Sequence, residues 1–198
     1  MWVSKIHHSV KALAALGAVV LTACTSHSAV AGNSAKIYYS DARYIQLIEP
    51  QNSGISVEEN QLMTGSYGEK KFSGESWMLL NDTTVHMMLF SSMGNTIAEL
   101  VYTKDSLAFN SKWMNAEKMK PEYVIADIQF CYYPASVLQK NFDAAGFTFA
   151  ESQDGDALHR TLFDGKAAIL KMEKRGNKIV LQNLLRHYSY QIESEIKE

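Results

Sequence analysis

Two stretches of the chain, Ser56 to Ser111 and the part beyond Gly146, are broken into short apolar runs by turn residues, and this punctuation restricts them to an antiparallel meander. The first stretch comprises Val57–Thr64, Lys71–Leu80, Thr83–Phe90, Thr96–Tyr102 and Leu107–Asn110, divided by Gly65/Gly68, Asn81-Asp82, Met93-Gly94-Asn95 and Lys104-Asp105. The second comprises Phe147–Glu151, Leu158–Phe163, Ala167–Lys174, Lys178–Asn183 and Tyr188–Ile192. Asp164-Gly165 and Gly176-Asn177 are two-residue hairpin signals within it.

The third and fourth runs set a register. A loop centred on Met93-Gly94 pairs Val85, Met87 and Leu89 with Tyr102, Leu100 and Ala98, so one face of the hairpin is wholly apolar or aromatic. The other face pairs His86 with Val101, Met88 with Glu99 and Phe90 with Ile97, and is mixed. A slip by one residue would place Glu99 among the apolar set, which selects the first register.

At Pro121 the period changes. Proline suits the first helical turn, and Glu122 complements the positive end of the helix dipole. Tyr123, Val124, Ile125, Ala126, Ile128, Phe130 and Cys131 then cover most of the helix circumference, with Asp127 and Gln129 as exceptions, which predicts a buried helix ended by Pro134. Ala135 to Ala145 reads as a second, amphipathic helix with Gly146 as its C-terminal stop. Strands, two helices and further strands define an α+β, mainly β fold: a curved antiparallel sheet or incomplete barrel enclosing the two helices.

The N-terminus carries Lys5 and Lys11, no acidic residue, and the apolar stretch Ala12–Leu21, the layout of a cleavable export signal. A membrane span needs about 20 apolar residues, and this stretch is half that. Leu21-Thr22-Ala23-Cys24 resembles the lipobox of bacterial lipoproteins, which implies cleavage before Cys24 and acylation of that cysteine. Thr25 stands where aspartate commonly retains such lipoproteins in the inner membrane, so the resemblance implies the periplasmic face of the outer membrane. Residues 1–23 are thus expected to be a signal peptide, 24–35 a small, polar tether, and 36–198 a single domain.

Loss of Lys5 and Lys11 takes the basic count from 19 to 17 against 21 acidic residues, net −4, which offers no attraction for nucleic acid. With Cys24 acylated, Cys131 has no intrachain partner, and its apolar surroundings in Ile128–Tyr133 predict a buried, inert thiol. His27, His86, His159 and His187 lie far apart with no metal-ligand spacing, so neither a metal nor another cofactor is expected. No nucleophile elbow, Walker loop or dinucleotide fingerprint occurs, and no enzymatic activity is expected. Glu58 and Glu59, as strand neighbours, point to opposite faces and read as solvent-facing or turn charges rather than a catalytic pair.

Trp77, the Leu89–Thr96 hairpin, Pro121 and the Tyr132–Leu138 segment resemble LolB, the outer-membrane receptor of lipoprotein sorting, and more closely a set of lipoproteins found beside aryl-polyene biosynthesis genes. The resemblance spans about a third of the mature chain. It implies a LolA/LolB-like half-barrel with a hydrophobic interior that accepts acyl chains, a periplasmic LolA-like carrier as partner, and a monomeric state. It also places Met93 where LolB exposes an apolar residue that contacts the membrane, although Ser92 replaces that family's proline.

The chain contains 9 Met, 10 Tyr, 8 Phe and 3 Trp, side chains that adapt to floppy hydrocarbon. Trp77, Leu79, Val85, Met87, Leu89, Leu100, Tyr102, Ile128 and Phe142 are the expected pocket lining. Two functions follow: a carrier of lipid, lipoprotein or lipid-linked product with an apolar cavity, or a structural or assembly lipoprotein with a filled core.

Overall fold

The computed structural model describes residues 26–31, 35–112, 114 and 120–195. The expected signal peptide and Cys24 lie outside the described residues. The strands are β1 (Ser26–Ala31), β2 (Lys36–Tyr38), β3 (Tyr44–Gln46), β4 (Val57–Tyr67), β5 (Lys70–Leu80), β6 (Thr84–Phe90), β7 (Thr96–Thr103) and β8 (Ser106–Ser111). Helices α1 (Pro121–Tyr132) and α2 (Ala135–Ala144) follow. The chain then forms β9 (Thr148–Asp154), β10 (Ala157–Asp164), β11 (Ala167–Arg175), β12 (Lys178–Asn183) and β13 (Tyr188–Ser194).

Eleven strands form one antiparallel sheet in the order β1-β8-β7-β6-β5-β4-β13-β12-β11-β10-β9, while β2 and β3 pair separately. Strands β1 and β9 are its two edges and do not meet, so the curved sheet is an incomplete barrel, as the run pattern predicts. The two meanders join at one seam, where β13 pairs with β4 from Tyr188↔Tyr67 to Ser194↔Gln61.

The hairpin register holds for Val85↔Tyr102, Met87↔Leu100, Leu89↔Ala98, His86↔Val101 and Met88↔Glu99. It departs at Phe90, which faces Thr96 because β7 bulges at Ile97, opposite the step from Leu89 to Phe90. The Gly176-Asn177 turn stands as the sequence predicts, and the other shifts by one residue to Gly165-Lys166; each is led by a glycine at φ near +60°. A leading glycine with positive φ is what a type II′ hairpin turn requires, so Asp164 stays in its strand.

One expectation is overturned at the N-terminus. Ser26–Ala31, inside the stretch expected to be a tether, is strand β1, paired with β8 from Ser26↔Ser111 to Ala31↔Ser106. An edge strand is held by backbone hydrogen bonds to its single neighbour, so it can form without the alternating apolar pattern that a half-buried strand shows in sequence.

Helix α1 lies inside the curve of the sheet and touches β2, β8 and β12. Its two polar exceptions are buried as well, each with a partner. The Gln129 amide donates to the Ile48 carbonyl at 2.7 Å and accepts from the Ile48 amide at 3.1 Å, pairing with that backbone as another strand would. Helix α2 packs on β9 and β3 through Leu138 and Phe142. It ends in a Schellman motif: the amide of Gly146, at φ +76°, donates to Asp143 O and that of Phe147 to Phe142 O.

At the other end of α1, the Arg160 guanidinium from β10 donates to the carbonyls of Phe130 at 2.7 Å and Cys131 at 3.2 Å, and to Glu151 at 2.7 Å. The side chain is buried, so it closes the helix C-terminus where water cannot reach. The Cys131 thiol is also buried, and desolvation raises its pKa.

Candidate apolar-ligand site

The residues expected to line a pocket divide into three groups. Val85, Met87, Leu100, Tyr102, Ile128 and Phe142 face the inside of the barrel and are packed into its core, with Val85 and Tyr102 at zero exposure. Phe142 is enclosed by Phe130, Phe149 and Tyr39, with ring centroids 5.8–6.3 Å away. Leu89 is half-buried at the margin of this core.

Trp77 and Leu79 are the correction: they lie on the outer face. In β5 the buried positions are Ser76, Met78 and Leu80, which pair with Leu89, Met87 and Val85, so the alternate residues point away from α1. Trp77 instead donates its indole N–H to Glu58 at 3.1 Å and meets the His86 ring edge-on. The neighbouring acidic residue also differs from expectation. Glu58 is exposed, but Glu59 faces inward and accepts hydrogen bonds from Ser194 Oγ at 2.6 Å, Gln61 Nε2 at 3.0 Å and Tyr132 OH at 3.1 Å. It ties the start of β4 to α1.

The inner face continues past the packed core as an aromatic strip. Phe72 on β5 meets Tyr190 on β13 edge-on at 6.0 Å, and Tyr190 lies 5.2 Å from Tyr188. Phe72 is 41% exposed, and both tyrosines are half-buried. Two glycines allow close approaches on this face, and the first seats a ring of the strip. A Cβ on Gly65 would collide with the Phe72 ring that lies over it, and one on Gly74 would come within 2.9 Å of Phe90 O. An aromatic ring covering a cross-strand glycine also shields its bare backbone.

Polar groups back this strip from α1. Tyr188 donates to Asp127 Oδ2 at 2.6 Å and accepts from Asn183 Nδ2 at 3.0 Å. Asp127 Oδ1 and the Tyr39 hydroxyl, both buried, have no hydrogen-bond partner among the described residues. Burial pushes the Asp127 carboxyl up to about 7, against the opposing pull of Tyr188 and Arg186. Arg186 stacks its guanidinium 4.0 Å from the Tyr123 ring centre and donates to Tyr38 O at 2.6 Å.

Met93 is 84% exposed at the tip of the β6–β7 loop. Ser91 shapes that loop without a proline: its hydroxyl accepts from the amides of Met93 and Asn95 at 3.3 and 3.2 Å, and its carbonyl accepts from Gly94 at 2.8 Å. Among the described residues, no three His, Cys, Asp or Glu side chains cluster in a way that could hold a metal ion. A shallow groove on the outer face is lined by His159, Lys171, Glu173, Val180 and Gln182, a mixture of polar and apolar side chains.

An incomplete barrel wound on one buried helix, with a partly exposed aromatic strip on its inner face, defines a β-rich domain with a concave apolar surface. The chain belongs to the family described as a protein of unknown function, DUF3261, whose model matches residues 58–195. The match runs from β4 to the end of β13 and so takes in both meanders and both helices. No curated protein matches the chain at a significant level.

Proposed function

We propose that this chain is a lipid-anchored outer-membrane protein, held at Cys24, that binds or transfers acyl chains on the concave side of its sheet. The observation that carries this reading is the strip Phe72–Tyr190–Tyr188, an apolar inner surface that the helices leave partly uncovered. Flat rings, with Phe72 seated over Gly65, offer a hydrocarbon chain contact area with little side-chain entropy to lose, and Asp127 behind Tyr188 supplies a polar group at one end. The proposed site is therefore the margin of the core, with Leu89 at its border, rather than the deep positions expected from sequence. The exposed thioether of Met93 is proposed as a membrane contact.

Phe72→Asp is expected to weaken binding of a fluorescent long-chain fatty acid at least ten-fold, about 1.4 kcal/mol, while leaving the melting temperature within a few degrees. Wild-type protein that binds no such probe, or a variant that binds it equally well, sinks the carrier reading.

The alternative, a structural or assembly lipoprotein with a filled core, draws on Val85, Tyr102, Phe130 and Phe142, all at 0–1% exposure. Tryptophan substitutions separate packed from open positions. Leu100→Trp should cost about 1–3 kcal/mol by overpacking, whereas Leu89→Trp should cost under about 1 kcal/mol and displace the probe. Equal, large losses of stability in urea denaturation would favour the structural reading.

A further inference from the structure

The exposed apolar side chains gather at one end of the sheet. Antiparallel alternation puts the loops 68–69, 91–95, 165–166 and 184–187 at that end, together with the start of β1. Tyr67, Phe72, Met93, Leu184 and Leu185 sit in or beside these loops, and Arg186 ties the Tyr38–Tyr44 ring pair to the same end. These are seven of the nine large hydrophobics described as exposed; the other two, Leu62 and Val180, lie on the strands. The charges are polarised as well. In net terms, Lys70, Lys71, Lys112 and Lys166 outnumber Glu69 and Asp164 at this end, whereas Asp82, Asp105, Asp154, Asp156 and Glu193 outnumber Lys104, Arg175 and Lys178 at the opposite end.

We infer that this end is a docking surface for an anionic phospholipid bilayer, which holds the barrel mouth-down on the membrane. Aromatic rings with polar tips suit the headgroup level, and each lysine near an anionic surface adds about 1 kcal/mol of attraction. The chain itself supplies a second argument. Ser26 begins β1 at this end, opposite Ser111, and Cys24 precedes it by two residues, a reach of about 7 Å. A lipid on Cys24 would therefore enter the bilayer beside the apolar rim, not across the domain from it. This part rests on Cys24 being the anchor, whereas the rim's own affinity does not.

Variants of the full chain that each add one cysteine to the native Cys24 and the buried Cys131, Tyr67→Cys, Leu185→Cys and Val180→Cys, can be labelled with a charged, membrane-impermeant maleimide and read peptide by peptide by mass. On vesicles of phosphatidylglycerol in phosphatidylcholine, labelling at positions 67 and 185 is expected to slow at least ten-fold relative to vesicle-free protein, with position 180 unchanged. Lys70→Gln with Lys71→Gln should restore labelling by about ten-fold. Unprotected rim cysteines, or equal protection at position 180, would overturn the docking surface. So would protection that appears without vesicles and grows with protein concentration, which would assign the rim to a second copy of the chain. The mass of the peptide bearing Cys24 separates the two readings. Rim protection with no lipid on Cys24 removes only the anchor, and lipid on Cys24 with a fully labelled rim removes only the docking.

Discussion

Asp127→Asn is expected to make the protein more stable above neutral pH and to flatten its stability profile between about pH 4 and 7. Burial raises this carboxyl from 3.8 to about 7, with Tyr188 and Arg186 acting in the opposite direction. In that window the folded chain holds a proton that the unfolded chain releases, so unfolding becomes easier as pH rises, and the stability present below pH 4 is lost through pH 7. Three pKa units correspond to about 4 kcal/mol at most, a large part of a typical folding free energy. Asparagine has the same shape, can still accept from Tyr188, and never ionises. Urea midpoints at pH 4.5 and 8 check this. A variant that keeps the wild-type slope with pH would mean that Asp127 is not the titrating group.

Arg160→Leu should destabilise the fold by about 3–5 kcal/mol, because one buried cation serves three acceptors. Without it, the carbonyls of Phe130 and Cys131 stay buried with no donor from β10, and the half-exposed Glu151 loses its counter-charge. Arg160→Lys should recover part of the loss, since an ammonium keeps the charge but lacks the guanidinium's fork of donors. The measurement is the shift in urea midpoint at constant slope. A loss under about 1 kcal/mol would show that water replaces the guanidinium at the end of α1.

Much of this architecture is legible in the order of residues because the pleat and the helix impose different periods. Pro121 marks the change of period, Pro134 and Gly146 mark helix ends, and Glu99 selects the register of β6 on β7. The misplacement of Trp77 and Leu79 has a specific origin. Residue type alone places Trp77 and Leu79 in a pocket, whereas counting across the Asn81–Thr83 turn pairs Leu80 with Val85 and gives the inward positions to Phe72, Met78 and Leu80. The same count would have found Phe72. Tyr188 and Tyr190 meet Phe72 only through β4, whose paired residues are more than 120 positions away in sequence, so the strip itself has no local signal. The buried roles of Asp127, Gln129 and Arg160 depend on partners from three other elements, and a polar residue in an apolar run does not announce them. Strand β1 pairs with β8 through its backbone, and the mostly small residues of Ser26–Ala31 show no alternating apolar pattern that would announce it.

The pairing of β13 with β4 has a kinetic consequence. Every other neighbouring pair in the main sheet except β1 with β8 joins strands adjacent in sequence, so each meander can form from local contacts soon after its residues are available. The centre of the sheet cannot, because it waits for Tyr188–Ser194 to return across more than a hundred residues and close the largest loop in the topology. Closing long loops is what slows the folding of β-rich chains. A chain emerging from its N-terminus would therefore hold β4 as an unpaired edge until its final strand arrived, with Met63 and the row of inward side chains beside it still open to solvent.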